Sequence, residues 1–238
     1  MRNIWKLFAA IAIVGGLAAC NKDKGPEGPT DFSGGCEAVD LGITTKDGKP
    51  LKWASYNVGA QNVEGRGSYF AWGETTEKTN YDWSKGGDYK WGAYDEKAKP
   101  KYGMTKYTAD VEGGDGLKTL QPGDDPATAN WGTKWRTPTL DEIKDLLDNT
   151  KCEWTWDADK KGYTVKGLKT GNSIFLPAAG GRDGSDLSYA GTGGYYWSSS
   201  VEESSPDGAC KFYFLSDVHG WNFSYRYIGL SVRAVTEY

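Results

Sequence analysis

Pro138-Thr139-Leu140-Asp141-Glu142-Ile143-Lys144-Asp145-Leu146-Leu147-Asp148-Asn149 carries the clearest structural signal in the chain. The Thr139 hydroxyl is placed to accept the backbone N–H of Glu142, and the Glu142 carboxylate to accept that of Thr139. Two orphan donors at a helix start are then satisfied reciprocally. Leu140, Ile143, Leu146 and Leu147 share one face, with Asp141, Lys144, Asp145 and Asp148 on the other, as expected of a helix lying on a core. Pro138 holds the approach extended and Asn149 supplies a stop. Just upstream, Asp125-Pro126 predicts a shorter helix with Asp as its cap and Pro as its first residue.

Past this helix the pattern turns to strands: Glu153 to Trp156, Tyr163 to Lys166, Ser173 to Leu176, Tyr195 to Ser198, Lys211 to Leu215 and Ser231 to Val235. Loops rich in Gly, Ser and Asp are expected at 178–194 and 199–208, with a Gly-centred turn from Asp217 to Gly220. Before the helix, Val39 to Ile43 and Leu51 to Tyr56 flank Thr45-Lys46-Asp47-Gly48-Lys49-Pro50, a hairpin signal. Residues 84–103, with Gly86-Gly87 and many lysines, read as a surface insertion. There is no internal repeat. One clear helix, many short strands and long loops predict an α+β fold. The 14% aromatic content, with 11 Trp, 15 Tyr and 33 Gly, agrees with loop-rich β structure rather than a helical bundle.

The N-terminus reads as a secretion signal over residues 1–19. Arg2 and Lys6 precede an uncharged apolar run from Leu7 to Gly16, and Leu17-Ala18-Ala19-Cys20 ends it with small residues and a cysteine. The run falls short of the about 20 residues that span a bilayer. Cys20 is therefore the expected lipidation site, with an outer-membrane lipid as partner: each buried CH₂ adds about 0.8 kcal/mol, so two or three acyl chains anchor a protein without a helix. Residues 20–35 form a polar tether with a reach of about 20 Å. A single folded domain is expected over 36–238.

Loss of Arg2 and Lys6 takes the formal charge from -4 to -6. Nucleic acid is an unsuitable partner for an acidic surface, since phosphates require a basic one. Cys36, Cys152 and Cys210 are an odd number outside the cytoplasm. Cys152 opens the aromatic run Cys152-Glu153-Trp154-Thr155-Trp156 and reads as a buried thiol. Cys36 with Cys210 is then the preferred disulfide, although spacing leaves the connectivity open.

No cofactor or metal is expected. His219 is the only histidine, and no C-x-x-C is present. Asp157-Ala158-Asp159-Lys160-Lys161-Gly162 begins like a calcium loop, but Lys161 stands where an oxygen ligand belongs, so a hairpin turn is expected. Gln121-Pro122-Gly123-Asp124-Asp125 is better read as the cap of a helix than as a calcium motif. His219 reads as a solvated turn residue, and no Gly-x-Ser-x-Gly elbow accompanies it. Arg136 and Arg233 are expected to be framework ion pairs.

Trp135-Arg136-Thr137-Pro138-Thr139-Leu140-Asp141-Glu142, with Asn130-Trp131-Gly132, Tyr196-Trp197-Ser198-Ser199-Ser200 and Gly229-Leu230-Ser231-Val232-Arg233, resembles the Fibrobacter succinogenes major paralogous domain. Val39-Asp40-Leu41-Gly42, Asn57-Val58-Gly59-Ala60 and Tyr69-Phe70-Ala71-Trp72-Gly73-Glu74 extend the resemblance over nearly all of 36–236. It implies a C-type lectin-like fold, distantly similar to formylglycine-generating enzymes. The paired reactive cysteines of those enzymes have no counterpart here. Asn21-Lys22-Asp23-Lys24 follows the expected lipidated cysteine; in the hosts of the family that residues 36–236 resemble, such an acidic, Lys-containing segment implies display on the cell surface.

A non-catalytic binding or adhesion module for glycan or a surface protein is the expected function. Sugar rings stack on Trp and Tyr while Asp, Asn and Arg take the hydroxyls. Trp221, in Gly220-Trp221-Asn222, is the expected platform, with Asn222, Tyr225, Arg182 and Asp183 as further ligand-binding residues. An architectural envelope component and a carbohydrate-active hydrolase are the alternatives.

Overall fold

The structure, a computed structural model, describes residues 35–83, 88–94, 97, 102–108 and 114–238. The expected signal segment, the expected lipidation site Cys20 and the expected tether up to residue 34 lie outside the described residues. The first hairpin joins β1 (Ala38–Thr44) to β2 (Pro50–Ala54) through the expected turn. β1 bulges between Asp40 and Ile43, where Gly42 has φ +79° and donates its N–H to Asp40 Oδ1 at 2.7 Å. β3 (Gly92–Tyr94) and β4 (Tyr102–Met104) pair inside the region expected as a surface insertion. Part of that region is anchored instead: Tyr89 is buried and its hydroxyl donates to the Trp72 carbonyl at 2.8 Å.

A single 3-10 turn, Pro122–Asp124, leads into α1 (Pro126–Trp131) and then α2 (Leu140–Leu147). Asp125 caps α1 as expected, accepting from the N–H groups of Ala127 and Thr128. The capping box of α2 is complete: Glu142 N–H donates to Thr139 Oγ1 at 3.3 Å, and Thr139 N–H to Glu142 Oε2 at 2.8 Å. Glu142 also takes Arg136 in a bidentate pair at 2.8 and 2.6 Å, and Arg136 reaches Glu237 at 3.0 Å. Arg136 is thus the framework ion pair expected of it.

β5 (Cys152–Asp157), β6 (Gly162–Gly167) and β7 (Ser173–Pro177) form an antiparallel meander. Its first turn is the expected hairpin at Asp157-Gly162, with Asp157 Oδ1 accepting from the N–H groups of Asp159 and Lys160. A Cβ at Gly167 would lie 2.1 Å from the Leu41 carbonyl oxygen, so a glycine is needed where the meander crosses the β1 bulge. A small hairpin, β8 (Gly181–Asp183) with β9 (Asp186–Ser188), stands where a loop was expected. β10 (Gly194–Val201), β11 (Gly208–Phe214) and β12 (His219–Tyr225) form a three-stranded sheet with β12 at one edge. β13 (Val235–Thr236) returns to pair with β2. The expected strand from Ser231 to Val235 is mostly irregular and joins the sheets through isolated bridges, including Tyr196–Ser231. Among the described residues the chain is therefore mixed α and β, with many short strands in small sheets and two α-helices.

The β10–β11 sheet divides the core. Tyr196, Phe212 and Phe214 turn to one side and pack with Ile143, Leu146 and Trp53. Trp197, Val201 and Ala209 turn to the other and pack with Trp72, Trp131 and Trp135. This is strand alternation applied at a wall between two apolar clusters.

The preferred disulfide is corrected: Cys36, Cys152 and Cys210 are all buried free thiols. Cys36 Sγ lies against Ser55 Oγ at 3.5 Å, whereas Cys210 Sγ donates to the Val201 carbonyl at 3.3 Å. Each sits among its own neighbours, and burial pushes the Cys210 thiol up to about 12 and the Cys152 thiol to about 11. Arg233 is corrected too. It is fully buried without a carboxylate, donating to Asn57 Oδ1 and to the carbonyls of Ala54 and Phe175 at 2.8–2.9 Å.

Candidate functional site

β12 decides where the expected ligand-binding residues fall. Its pairing sets Trp221 opposite Phe212 and Phe223 opposite Cys210, while Asn222 stands opposite Lys211. Directly paired residues share a side of the sheet. Trp221, Phe223 and Tyr225 therefore line the α2 side, and Asn222 and Ser224 the other. The expected constellation is split: Trp221 cannot share one ligand contact with its neighbour Asn222, because adjacent strand residues point apart.

On the α2 side, Trp221, Phe223 and Tyr225 are 45%, 47% and 50% exposed. Cover thins along the strand. His219, at its start, is half-buried and stacks on Trp154 with ring centroids 4.6 Å apart, so it is not the solvated turn residue expected. Burial lowers its pKa. Trp221 carries only the Lys144 ammonium of α2, 4.8 Å from its ring. Tyr225 stacks at 5.7 Å on Tyr227. A groove of about 620 Å³ opens beside Trp221, bordered by Asp141, Asp145, Glu202 and Glu203. Asp141 pairs with Lys46, Asp145 with Lys151 at 2.6 Å, and Glu203 with Lys118 at 2.6 Å. The Ser204 hydroxyl holds Glu202 below the usual carboxylate range, as Lys46 does Asp141.

On the opposite side, Arg182 and Asp183 of β8 border a cavity of about 250 Å³ with Tyr189, Tyr195 and Lys211. Lys211 was not singled out in the sequence. Its signal was there, as a lysine immediately before Phe212-Tyr213-Phe214 in β11, but an alternating strand offers a lysine to solvent as readily as to a cavity. Lys211 is 7% exposed, donates to Asn222 Oδ1 at 2.6 Å and lies 5.0 and 5.2 Å from the rings of Tyr195 and Tyr213. Burial lowers its pKa to about 8. Arg226, a polar residue of the same late segment, is structural: it is buried over Trp72 and donates to the Gly208 and Tyr107 carbonyls.

Among the described residues no three His, Cys, Asp or Glu side chains gather as a metal site, and no helix is long and apolar enough to cross a membrane. No family model, curated protein or solved structure matches this chain.

Proposed function

We propose that this chain is an outer-membrane lipoprotein, anchored through Cys20 and displayed at the cell surface, whose domain is a glycan-binding module of the Fibrobacter succinogenes major paralogous type with a C-type lectin-like fold. The observation that carries the binding reading is the row Trp221, Phe223 and Tyr225, three half-exposed rings on one side of an edge strand. Alternate strand residues lie about 7 Å apart, so such a row offers successive apolar platforms to the C–H faces of a sugar chain. Lys144 and the groove carboxylates stand at its end to take hydroxyl groups.

The ion pairs favour binding over hydrolysis. A glycosidase needs one carboxylic acid with a raised pKa beside a second carboxylate. Here Asp141, Asp145 and Glu203 are held by lysines, and Glu202 is lowered rather than raised.

A glycan array probed with the purified chain tests the reading, followed by titration of Trp221→Ala and Phe223→Ala. Each variant should weaken binding about tenfold, near 1.4 kcal/mol, while leaving the melting temperature within about 3 °C of the parent. A chain that retains no glycan, or variants that bind like the parent, would overturn it.

A further inference from the structure

We propose that Lys211, in the cavity between the β8–β9 hairpin and the side of β10–β12 turned away from α2, captures a short neutral hydroxyaldehyde, the open-chain form of a small aldose, as a reversible imine. Lys211 lines this cavity of about 250 Å³ and is 7% exposed. Its ammonium lies 5.0 Å from the ring of Tyr195, itself a wall of the cavity, and donates to Asn222 Oδ1 at 2.6 Å. Among the described residues it has no carboxylate partner, and burial is the cause that lowers its pKa to about 8. Burial disfavours the charged form of a lysine, and desolvated lysines of this kind form imines with carbonyl compounds. At pH 7.5 about a quarter of Lys211 is the free amine, against about one in a thousand for a lysine at the ordinary 10.5. The site stands apart from the aromatic row, because Lys211 and Asn222 pair on the other side of the sheet.

The step balances without a further reactant. The ammonium gives one proton to water, and the amine lone pair forms a C–N bond to the aldehyde carbon. The carbonyl oxygen then leaves as water with the two remaining amine hydrogens, and hydrolysis reverses the sequence. The walls narrow the ligand class. Tyr195, Ile228 and Leu230 give apolar faces, whereas Asp183, Ser188 and Ser224 supply partners for hydroxyls. The space is below the usual range for drug-sized ligands, which favours a molecule of a few carbons. The Arg182 guanidinium lies over the Tyr69 ring at 5.2 Å, and Asp183 lines the cavity. An aldehyde bearing an acid group therefore gains no second cation and meets a carboxylate.

Reductive trapping tests the proposal on the parent chain, with no variant required to fold. The purified protein is incubated with glyceraldehyde and cyanoborohydride, which reduces the imine to a stable amine, and peptide mass spectrometry follows each lysine with time. At pH 7.5 Lys211 should be labelled at least about tenfold faster than the exposed lysines, through its larger free-amine fraction. Its rate should rise with pH to a midpoint near 8, and its lead should vanish in urea, where the cavity is lost. Glyoxylate, an aldehyde with an acid group, should label Lys211 with no such lead. In Lys211→Arg the fast labelling event should disappear, while Trp221→Ala leaves it unchanged. Labelling of Lys211 no faster than that of exposed lysines, a midpoint near 10.5, a lead that survives in urea, or an equal lead with glyoxylate overturns the proposal.

Discussion

Arg136, Arg226 and Arg233 are all drawn into the fold, and each is satisfied differently. Arg136 takes carboxylates at the α2 start; Arg226 and Arg233 are held by carbonyl oxygens, with Asn57 Oδ1 completing the second set. The planar guanidinium makes this possible, since its five donors spread over several neutral acceptors. Lys211 has no such geometry, and its burial is a cost that pH reveals. Its folded pKa of about 8 lies below the ordinary 10.5, so between those values the unfolded chain holds a proton that the folded chain has shed. Stability from this residue therefore rises as pH goes from about 8 to about 10.5. Tyr195 and Tyr213 lie against it, and Arg182, Asp183 and Tyr189 border the same cavity, so the comparison must be differential. Lys211→Met should melt about 3 °C or more above the parent at pH 7, an effect near 1 kcal/mol in a domain of this size. The gap should close as pH approaches 10. Parallel melting profiles for the two chains would show that the ammonium is solvated.

The two helix starts differ in what they secure, although both were legible as caps. Thr139 satisfies one α2 donor on a partly exposed surface, and Thr139→Ala should cost about 1 kcal/mol. Asp125 is buried and accepts from Ala127 and Thr128 N–H and from both the N–H and hydroxyl of Thr137. Asp125→Ala strands several of these inside the core and should cost about 3 kcal/mol. Urea unfolding of the two variants checks the order, and equal losses would reduce Asp125 to an ordinary cap. The strands were less evenly legible. β5, β6 and β7 largely alternate in burial, and β10 and β11, buried almost throughout, carry aromatic runs, so these strands are marked in the sequence. β12 is not: Gly220, Asn222 and Ser224 alternate with exposed rings, and that polar set reads as loop. Its strand state comes from pairing with β11 along seven residues. The β8–β9 hairpin is hidden for the same reason, being three residues a side and almost wholly exposed.

At the scale of the whole molecule, the proposed anchor and the proposed binding module make separate predictions. Cys20→Ser should release the protein from the membrane fraction, and mass spectrometry of the parent should find acyl groups on the mature N-terminal cysteine. A Cys20→Ser protein still confined to membranes would refute lipidation. Protease shaving of intact cells checks the facing: the domain should be cut without breaking the outer membrane. The sequence by itself determined the capped helices, the first hairpin, the 152–177 meander and the mixed α and β class, because each rests on contacts between residues near in the chain. Only the tertiary structure decided that Cys36 and Cys210 stay apart, that Arg233 needs no carboxylate, and that Lys211 is buried against Asn222. It also separated Trp221 from Asn222. Sequence proximity suggested one site for these two, but pairing with β11 assigns neighbouring residues to opposite sides of a sheet, and that register is set by contacts between segments rather than within them.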